Sequence, residues 1–390
     1  MGKRMTPLFV FTADTHLEDG AWSTRPGIYG DSYYSFQQIA DYCVEHKLPL
    51  VLGGDVLEKK SNSARPIAKL CAALSKLEAH GVPVYYIQGN HEYDRNAPWL
   101  SVHAWAQHLH GKTVWIDGNS MYGLDWLPRG EIQTALAAIP DDVDILITHQ
   151  VWEDLMKGIG RTECTLTDVH NVQTVLAGDF HVTQIVEGTN AQGKPVRMLS
   201  PGSTCMQDCS ESPDKFFFVI GREHGGQIAF EQHQLETRNF LSYQVRDQAL
   251  LDELCVGKLD ADIAALPTKP GDISKPIVRI KFDKSLPDAF LRLTMAAGDS
   301  CHLFCEALTD KGQSSKVVTR GSSKNDLLAA LTELLGEDSA EYKLAAAMVT
   351  AEDPTKELDR IYNDYLTAGD EHAIASTGSA ELGASPAPCV

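Results

Sequence analysis

The sequence of 390 residues contains no apolar run approaching the roughly 18–20 residues that a membrane span needs. Its start, MGKRMTPLFVFTADT, lacks the apolar stretch and the small-residue cleavage site of a secretory signal. The nine cysteines form no C-x-x-C pair, so neither a zinc ribbon nor a disulfide framework is indicated. No G-x-x-x-x-G-K-[ST] sequence is present, which argues against ATP binding by a P-loop. We therefore expect a cytoplasmic protein that does not associate with membranes.

Positive charge is also scarce. The chain has 34 Lys and Arg against 53 Asp and Glu, a formal net charge of −19. This balance excludes a protein that coats nucleic acid through bulk charge, although it leaves room for an enzyme that binds DNA through a local groove and metal ions. Residues 275–324 differ from the rest, because nine basic residues there stand against five acidic ones, a local net charge of +4.

Short apolar runs alternate with helical stretches in the first part of the chain. Runs of strand length and composition occupy residues 7–16, 48–55, 82–91, 143–150 and 174–181. Segments with helical spacing of apolar residues lie between them at 35–46 and 65–80. Later runs at 196–203, 215–221 and 227–235 predict hairpin strands that complete the domain. The alternation predicts an α/β domain whose mainly parallel or mixed sheet is covered by helices.

The character of the sequence changes near residue 245. A proline-containing stretch at 260–275 predicts a linker or an irregular crossover, and it is followed by a predicted strand (275–282), helix (286–298) and strand (302–308). Two amphipathic helices are predicted at about 326–348 and 354–367, before a small, polar tail that we expect to be disordered. The predicted domains are therefore 1–245, a small α+β domain at 246–322, a helical segment at 323–368 and a tail at 369–390.

Polar side chains able to bind a metal occur at the carboxyl ends of all five early strands. They are Asp14, His16, Asp55, Asn90, His91, His149, Asp179 and His181. Any one of them alone would be interpreted as an ordinary strand-end polar residue. Five strand ends in series indicate a metal site instead, because active sites in open α/β sheets form beyond the carboxyl ends of the strands. By contrast, His103, His108 and His110 precede Gly111 and are interpreted as surface or C-cap residues of a helix.

The chemistry of these side chains predicts which ions they bind. Carboxylate, imidazole and amide groups suit borderline-to-hard divalent ions better than a metal selected by thiolates. A ligand set of this size is too large for one tetrahedral zinc ion but suits two ions that share a bridging carboxylate. Such a pair, about 3.5–4 Å apart, is the usual device for phosphoester hydrolysis.

The motifs ADTHLEDG, GGDVLEKK, IQGNHEYD, ITHQ and AGDFH resemble the ordered motifs of the calcineurin-like metallophosphoesterases. Within that superfamily the chain is most similar to the SbcD-type DNA exonucleases, relatives of the eukaryotic double-strand-break repair nuclease. Arg25, the stretch 31–39 and the SPGS at 200–203 also resemble that family. The resemblance implies a layered α/β/β/α sandwich, followed by a small α+β capping domain and C-terminal helices.

The resemblance also implies a role for each motif residue. Asp14, His16 and His181 would hold one ion, Asp55 would bridge, and Asn90 and His149 would hold the second ion. His91 would not be a ligand but a general acid near the departing oxygen. Glu92 would orient that imidazole, unless it is simply a solvated turn carboxylate. The expected cofactors are two divalent ions, with Mn²⁺ favoured and Mg²⁺ or Fe²⁺ as alternatives.

Asp179 is the one clear departure from the family pattern. The family usually has G-H-x-H where this chain has Gly178-Asp179-Phe180-His181. Asp179 would replace an imidazole on the second ion and make the site one charge more negative. An anionic oxygen still binds Mn²⁺ or Mg²⁺, so we expect Asp179 to be a ligand.

The implied function is a metal-dependent nuclease that degrades duplex DNA ends and also trims single strands or hairpins. The resemblance further implies a homodimer, a basic capping domain that helps hold DNA, and docking of the C-terminal helices on an SbcC-like, SMC-type ATPase. The alternative for the basic residues is an ordinary solvated face. The alternative for the C-terminal helices is that they pack on the rest of the chain. A phosphatase or small phosphodiesterase is an alternative enzyme, although GGDVLEKK lacks the G-D-x-x-D-R-G of Ser/Thr protein phosphatases. The alternative that is not an enzyme is a non-catalytic scaffold that binds the ATPase.

Overall fold

The computed structural model describes residues 5–19, 27–96, 103–158, 160 and 162–308, with five isolated helical positions at 332, 342, 346, 347 and 350. The chain divides into two compact units, Met1–Leu308 and Thr309–Val390, and every element below belongs to the first. Arg25 and, apart from those five positions, the predicted helical segment and tail lie outside the described residues.

The described residues form fifteen strands and seven α-helices. The strands are β1 (Thr6–Thr12), β2 (Leu50–Gly53), β3 (Val84–Ile87), β4 (Ala106–His108), β5 (Thr113–Ile116), β6 (Asn119–Leu124), β7 (Ile145–His149), β8 (Thr174–Gly178), β9 (Gln184–Thr189), β10 (Pro195–Ser200), β11 (Phe216–Arg222), β12 (Ile228–Gln234), β13 (Phe240–Val245), β14 (Ile277–Phe282) and β15 (His302–Ala307). The helices are α1 (Asp31–His46), α2 (Ala64–Ala79), α3 (Arg129–Ala137), α4 (Glu153–Met156), α5 (Gln248–Glu253), α6 (Leu259–Ala264) and α7 (Ala289–Ala297). None of these helices is long and apolar enough to cross a membrane.

Two six-stranded sheets carry most of the fold. The first has the order β12-β11-β1-β2-β3-β4 and the second the order β5-β6-β7-β8-β10-β9. Strands β1, β2 and β3 are parallel in the first sheet, as are β6, β7 and β8 in the second. All five predicted site strands are confirmed. The predicted hairpin strands at 215–221 and 227–235 are also confirmed, as β11 and β12 of the first sheet. The strand predicted at 196–203 is β10, which belongs to the second sheet.

The alternation of side chains along each strand builds three core layers. In β1, Phe9 and Phe11 point into a central core that also contains Ile145 and Ile147 of β7, so the two sheets pack face to face. Val10 points to the opposite side, into the core beneath α1 and α2. A third core lies between the second sheet and α3 and α4. The predicted α/β/β/α sandwich is confirmed.

A third, parallel sheet of order β13-β14-β15 forms a small α+β unit with its own core against α7. Because β13 precedes residue 246, this sheet draws on residues from both sides of the predicted domain boundary. The predicted linker at 260–275 is wrong in its first part, since α6 covers Leu259–Ala264.

Arg238, between β12 and β13, connects the small unit to the sandwich. Its Nε and Nη2 each donate to one carboxylate oxygen of Asp31 at 2.8 Å, at the start of α1. The other hydrogen bonds go to the backbone carbonyls of Tyr29, Asp272 and Lys275 at 2.7–2.9 Å. Arg238 and Asp31 are both buried, so one guanidinium joins three segments of the chain away from solvent.

Candidate metal centre

The eight predicted site residues meet where the carboxyl ends of strands from both sheets come together. From the first sheet come Asp14 and His16 after β1, Asp55 after β2, and Asn90 and His91 after β3, and from the second come His149 at the end of β7 and Asp179 and His181 after β8. The backbone N–H of Asp179 donates to both carboxylate oxygens of Asp14 at 3.1 Å. His149 Nδ1 donates to the carbonyl of Gly53 at 2.7 Å. The two sheets are thus joined directly at the site.

Three overlapping groups of side chains have the spacing of metal ligands, with ligand atoms within 4.8 Å of one another. The groups are Asp14, His16 and His181, then Asp14, Asp55 and His149, and finally His16, Asp55 and His91. Because the groups share members, they form one continuous cluster with room for more than one ion. Asp14, His16 and Asp55 each belong to two of the groups, so the geometry allows either carboxylate to bridge two ions. The assignment of the bridge to Asp55, and of each other residue to an ion, remains a prediction.

The imidazoles are held so that their Nε2 atoms face the centre of the cluster. His149 uses Nδ1 for the carbonyl at the end of β2, and its Nε2 lies 3.2 Å from Asp55 Oδ2. His16 Nδ1 lies 2.6 Å from Glu58 Oε2, and its Nε2 lies 3.2 Å from His181 Nε2. A hydrogen bond at Nδ1 fixes the ring and leaves Nε2 for a metal, which is the usual arrangement around ligating histidines.

The amide of Asn90 faces the cluster. One of its two polar atoms lies 3.2 Å from both Asp55 Oδ2 and Asp179 Oδ1, and 3.3 Å from His149 Nε2. With nitrogen at this position the amide donates three hydrogen bonds, and with oxygen there it offers a ligand to a cation. Asn90 is therefore within reach of a metal ion held by these residues.

The electrostatics of the cluster also favour bound positive charge. Burial disfavours the charged form of His149, yet Asp55 and Asp14 raise the pKa of this histidine well above its usual value. Burial also raises the pKa of Asp179 to about 6, and the neighbouring carboxylates of Asp14 and Asp55 add to the effect. Three carboxylates this close require a cation, and the set of carboxylate, imidazole and amide donors fits a divalent ion.

Four of the candidate ligands have backbone conformations that side chains rarely adopt. The φ angles of Asp14, His16, Asp55 and Asp179 are 51°, 41°, 48° and 75°. Each such residue costs roughly 1–3 kcal/mol and persists only where the surrounding structure holds it in place. Left-handed backbone also occurs at turns away from the site, such as that of Asp117, so the strain supports a functional role at these four positions only together with the clustering of their side chains.

Glycines next to the ligands leave space that a side chain would fill. A Cβ atom on Gly178 would overlap His149 Nδ1 and would lie 2.5 Å from the carbonyl oxygen of Gly53. We expect Gly178→Ala to displace His149, to destabilise the fold by about 1–3 kcal/mol through overpacking, and to weaken Mn²⁺ binding. Urea unfolding and Mn²⁺ titration would measure the two effects. Gly130→Ala, on α3 with nothing within 4 Å, is the matched control and should be neutral or slightly stabilising.

Glu58, rather than Glu92, holds His91, so the interpretation of Glu92 is wrong. The backbone carbonyl of Glu58 lies 2.7 Å from His91 Nδ1, and its carboxylate oxygen lies 3.4 Å from the same atom. Glu92 is buried and accepts hydrogen bonds from the backbone N–H groups of Leu57 and Gly89. It thereby ties the loop after β2 to the loop after β3. Sequence reasoning missed Glu58 because it stands in an E-K-K run that is typical of a solvated surface.

The family model for calcineurin-like phosphoesterases matches residues 7–183, a range that includes all eight site residues. The chain contains a calcineurin-like phosphoesterase domain. The matched range contains the strand-end motifs that predict the metal site, and the structure brings these motifs together. The match ends within the second sheet, so β9 to β15 lie beyond it.

The phosphoesterase domain is also similar to archaeal proteins named DNA double-strand break repair protein Mre11. The protein of Methanosarcina acetivorans is 25% identical over 244 residues, which cover 59% of this chain and 39% of that protein. The protein of Haloferax volcanii is 26% identical over 244 residues, covering 60% of this chain and 54% of that protein. The protein of Sulfolobus acidocaldarius is 19% identical over 374 residues, or 88% of this chain and 95% of that protein. The chain thus spans about half or less of the length of the first two relatives.

Proposed function

We propose that this chain is a Mn²⁺-dependent DNA nuclease that degrades duplex ends and also cuts single strands or hairpins. The observation that carries the proposal is the convergence of eight strand-end residues into one cluster that suits two divalent ions. The likeness to proteins named for double-strand break repair supports DNA as the substrate. A phosphatase or small phosphodiesterase is the alternative on the same scaffold.

In this proposal Asp14, His16 and His181 hold one ion, Asn90, His149 and Asp179 hold the other, and Asp55 bridges. Ions held there supply charge neutralisation at the phosphodiester and an activated water for in-line attack. Asn90 is exposed and His91 is half-buried, whereas Asp14 and Asp55 are buried. A phosphodiester would therefore approach from the side of Asn90 and His91.

His91 is the group that we assign to protonate the departing oxygen. Its Nδ1 is held by Glu58, and its Nε2 lies 3.9 Å from Asp55 Oδ2, beside the candidate bridge. The hydrogen bond with Glu58 raises the pKa of His91 to about 9. The hydrogen bond with Glu58 thus favours the protonated ring that a general acid needs.

The proposed partners follow from the family resemblance. They are duplex DNA, a second copy of the chain and an SbcC-like ATPase that binds residues 323–368. Basic residues of the small unit support DNA binding only weakly, because several of them already pair with acids. Arg279 and Lys281 lie 3.4 and 3.9 Å from Glu306, and Arg292 pairs with Asp252 at 2.6 Å.

The test is Mn²⁺-supported digestion of end-labelled linear duplex DNA by the purified full chain. We expect His91→Ala to lower the rate by about 10²–10⁴-fold, because the departing oxygen loses its proton donor, while Mn²⁺ binding is retained. His80→Ala is the matched control, since His80 is exposed at the end of α2 and bonds only its own helix. Undiminished digestion by His91→Ala would refute the assigned role.

A small aryl phosphodiester separates the nuclease from its alternatives. If the chain cleaves this substrate but leaves DNA intact, it is either a small phosphodiesterase or a nuclease that needs its ATPase partner. DNA cleavage after addition of the ATPase would identify the partner-dependent nuclease. If the chain cleaves neither substrate in any divalent metal, the scaffold without catalysis becomes the better interpretation.

A further inference from the structure

The loop that carries Asn90 and His91 is closed by a side chain that takes no part in the proposed chemistry. We call residues 88–94 the Gln88 loop. Gln88 is buried, and its Nε2 donates to the carbonyl of Asp94 at 3.1 Å, while its Oε1 accepts from the backbone N–H of Asp94 at 3.0 Å. The two ends of the loop are thus held together by one amide group.

The carboxylate of Asp125, directly after β6, holds Gln88 through two hydrogen bonds. Its Oδ1 accepts from the backbone N–H of Gln88 at 2.8 Å, and its Oδ2 accepts from Gln88 Nε2 at 2.9 Å. The next residue, Trp126, donates its backbone N–H to the carbonyl of Gln88 at 2.8 Å. Because one carboxylate bonds both the backbone and the side chain of the same residue, it fixes the position and the rotation of Gln88.

The Asp125 carboxylate is itself fixed. It is 2% exposed, and His108 Nε2 lies 2.9 Å from both of its oxygens. His108 lies at the end of β4, with its ring stacked on Tyr86 at 4.8 Å between centroids. The expectation that His108 lies on a helix surface is therefore wrong. A carboxylate buried this deeply is costly unless every oxygen is paired, so its contacts are specific rather than incidental.

We propose that Asp125 and Gln88 form a clamp that positions Asn90 and His91. Asp125 is a positioning residue, since it reaches the site only through Gln88. This inference rests on the proposed function, because that function gives Asn90 and His91 their roles. The clamp also predicts a change in the affinity for the second ion, which can be measured without a substrate. Releasing the clamp should loosen Asn90 and His91 together and leave Asp14, His16 and His181 in place.

The first test compares Asp125→Asn with the wild-type full chain. We expect Mn²⁺ calorimetry to show one ion bound as before and the second bound about 10–100-fold more weakly, as is typical when a residue that supports a ligand is lost. Hydrolysis of bis(p-nitrophenyl) phosphate should lose about 10–100-fold in kcat, with KM changed less than twofold. Asp144→Asn is the matched control, because the Asp144 carboxylate likewise accepts from a backbone N–H, that of Ser120, at the opposite end of β6.

A charge swap separates positioning from a general loss of stability. In Gln88→Glu with Asp125→Asn the single carboxylate moves to residue 88, and the new amide at 125 can donate to it. We expect this double variant to recover part of the second-ion affinity that Asp125→Asn loses. Recovery should be incomplete, because glutamate at position 88 cannot donate to the carbonyl of Asp94 as Gln88 does. Two ions bound as in the wild type by Asp125→Asn, an equal loss in Asp144→Asn, or no recovery in the double variant would each overturn the clamp. A wild-type chain that binds two Mn²⁺ but cleaves no phosphodiester would overturn the proposed function and leave the calorimetric test of the clamp intact.

Discussion

Replacing Asp55 by asparagine should lower metal-dependent phosphodiester hydrolysis by at least about 10³-fold, or roughly 4 kcal/mol of transition-state stabilisation. Asp55 Oδ2 lies 3.2 Å from His149 Nε2, 3.8 Å from His16 Nε2 and 3.9 Å from His91 Nε2, so three imidazoles surround the carboxylate to which we assign the bridge. The substitution removes one negative charge between the two candidate ions. Asparagine keeps an oxygen for the backbone N–H of His91, which Asp55 Oδ1 accepts at 3.0 Å, so the loops should stay in place.

The measurement pairs hydrolysis of bis(p-nitrophenyl) phosphate with thermal unfolding. Mn²⁺ should raise the Tm of the wild-type chain, EDTA should reverse the effect, and Asp55→Asn should respond much less. Asp117→Asn is the matched control, because Asp117 has nearly the same left-handed backbone, with φ 48°, in an exposed turn between β5 and β6. Hydrolysis within tenfold of wild type would rule out a bridging role for Asp55.

Arg238→Ala should destabilise the chain by about 3–5 kcal/mol, the expected effect of leaving a buried carboxylate without its partner. The substitution leaves the buried Asp31 carboxylate without its partner and also removes three hydrogen bonds to backbone carbonyls. Arg238→Lys should recover only part of this loss, because an ammonium group cannot make the two parallel hydrogen bonds to Asp31. Urea unfolding gives the free energy of unfolding of each variant.

Two comparisons make the effect of Arg238 specific. The exposed pair of Arg197 and Glu187, 39% and 70% exposed, should contribute only about 0–1 kcal/mol when Arg197 is replaced by alanine. The double variant Arg238→Ala with Asp31→Ala should lose clearly less than the sum of the single variants, because the stranded charge is gone. Additive losses would show that the ion pair does not hold the segments together.

The strands that carry the site could be predicted from sequence because they are buried on both sides. β1, β2, β7 and β8 contribute to the central core and to a core beneath helices, so their middle residues are apolar, and the metal-binding side chains at or just after their carboxyl ends are conspicuous. The ligand set follows from those strand ends, and its convergence required only that parallel strands finish at the same edge. The division into two facing sheets came from the family resemblance.

The residues that support the ligands could not be predicted in the same way. β4 has three residues, Ala106–His108, with no periodic pattern, so His108 was assigned to a helix. The pairing of Asp125 with Gln88 spans 37 positions, and that of Glu58 with His16 spans 42. Nothing in the local sequence marks contacts of such separation. The first depends on how the two sheets stack, and the second on the pairing of β1 with β2.

The division of the ligands between two sheets makes side-chain volume in the central core a determinant of catalysis. Asp14, Asp55 and Asn90 move with the first sheet, whereas His149, Asp179 and His181 move with the second. The separation of the two halves is therefore set by the thickness of the layer that contains Phe11 and Ile147, neither of which reaches an ion. Interiors are packed tightly enough that a single methylene is felt. An engineer who wished to retune the spacing of the ions would repack this layer and leave every ligand untouched.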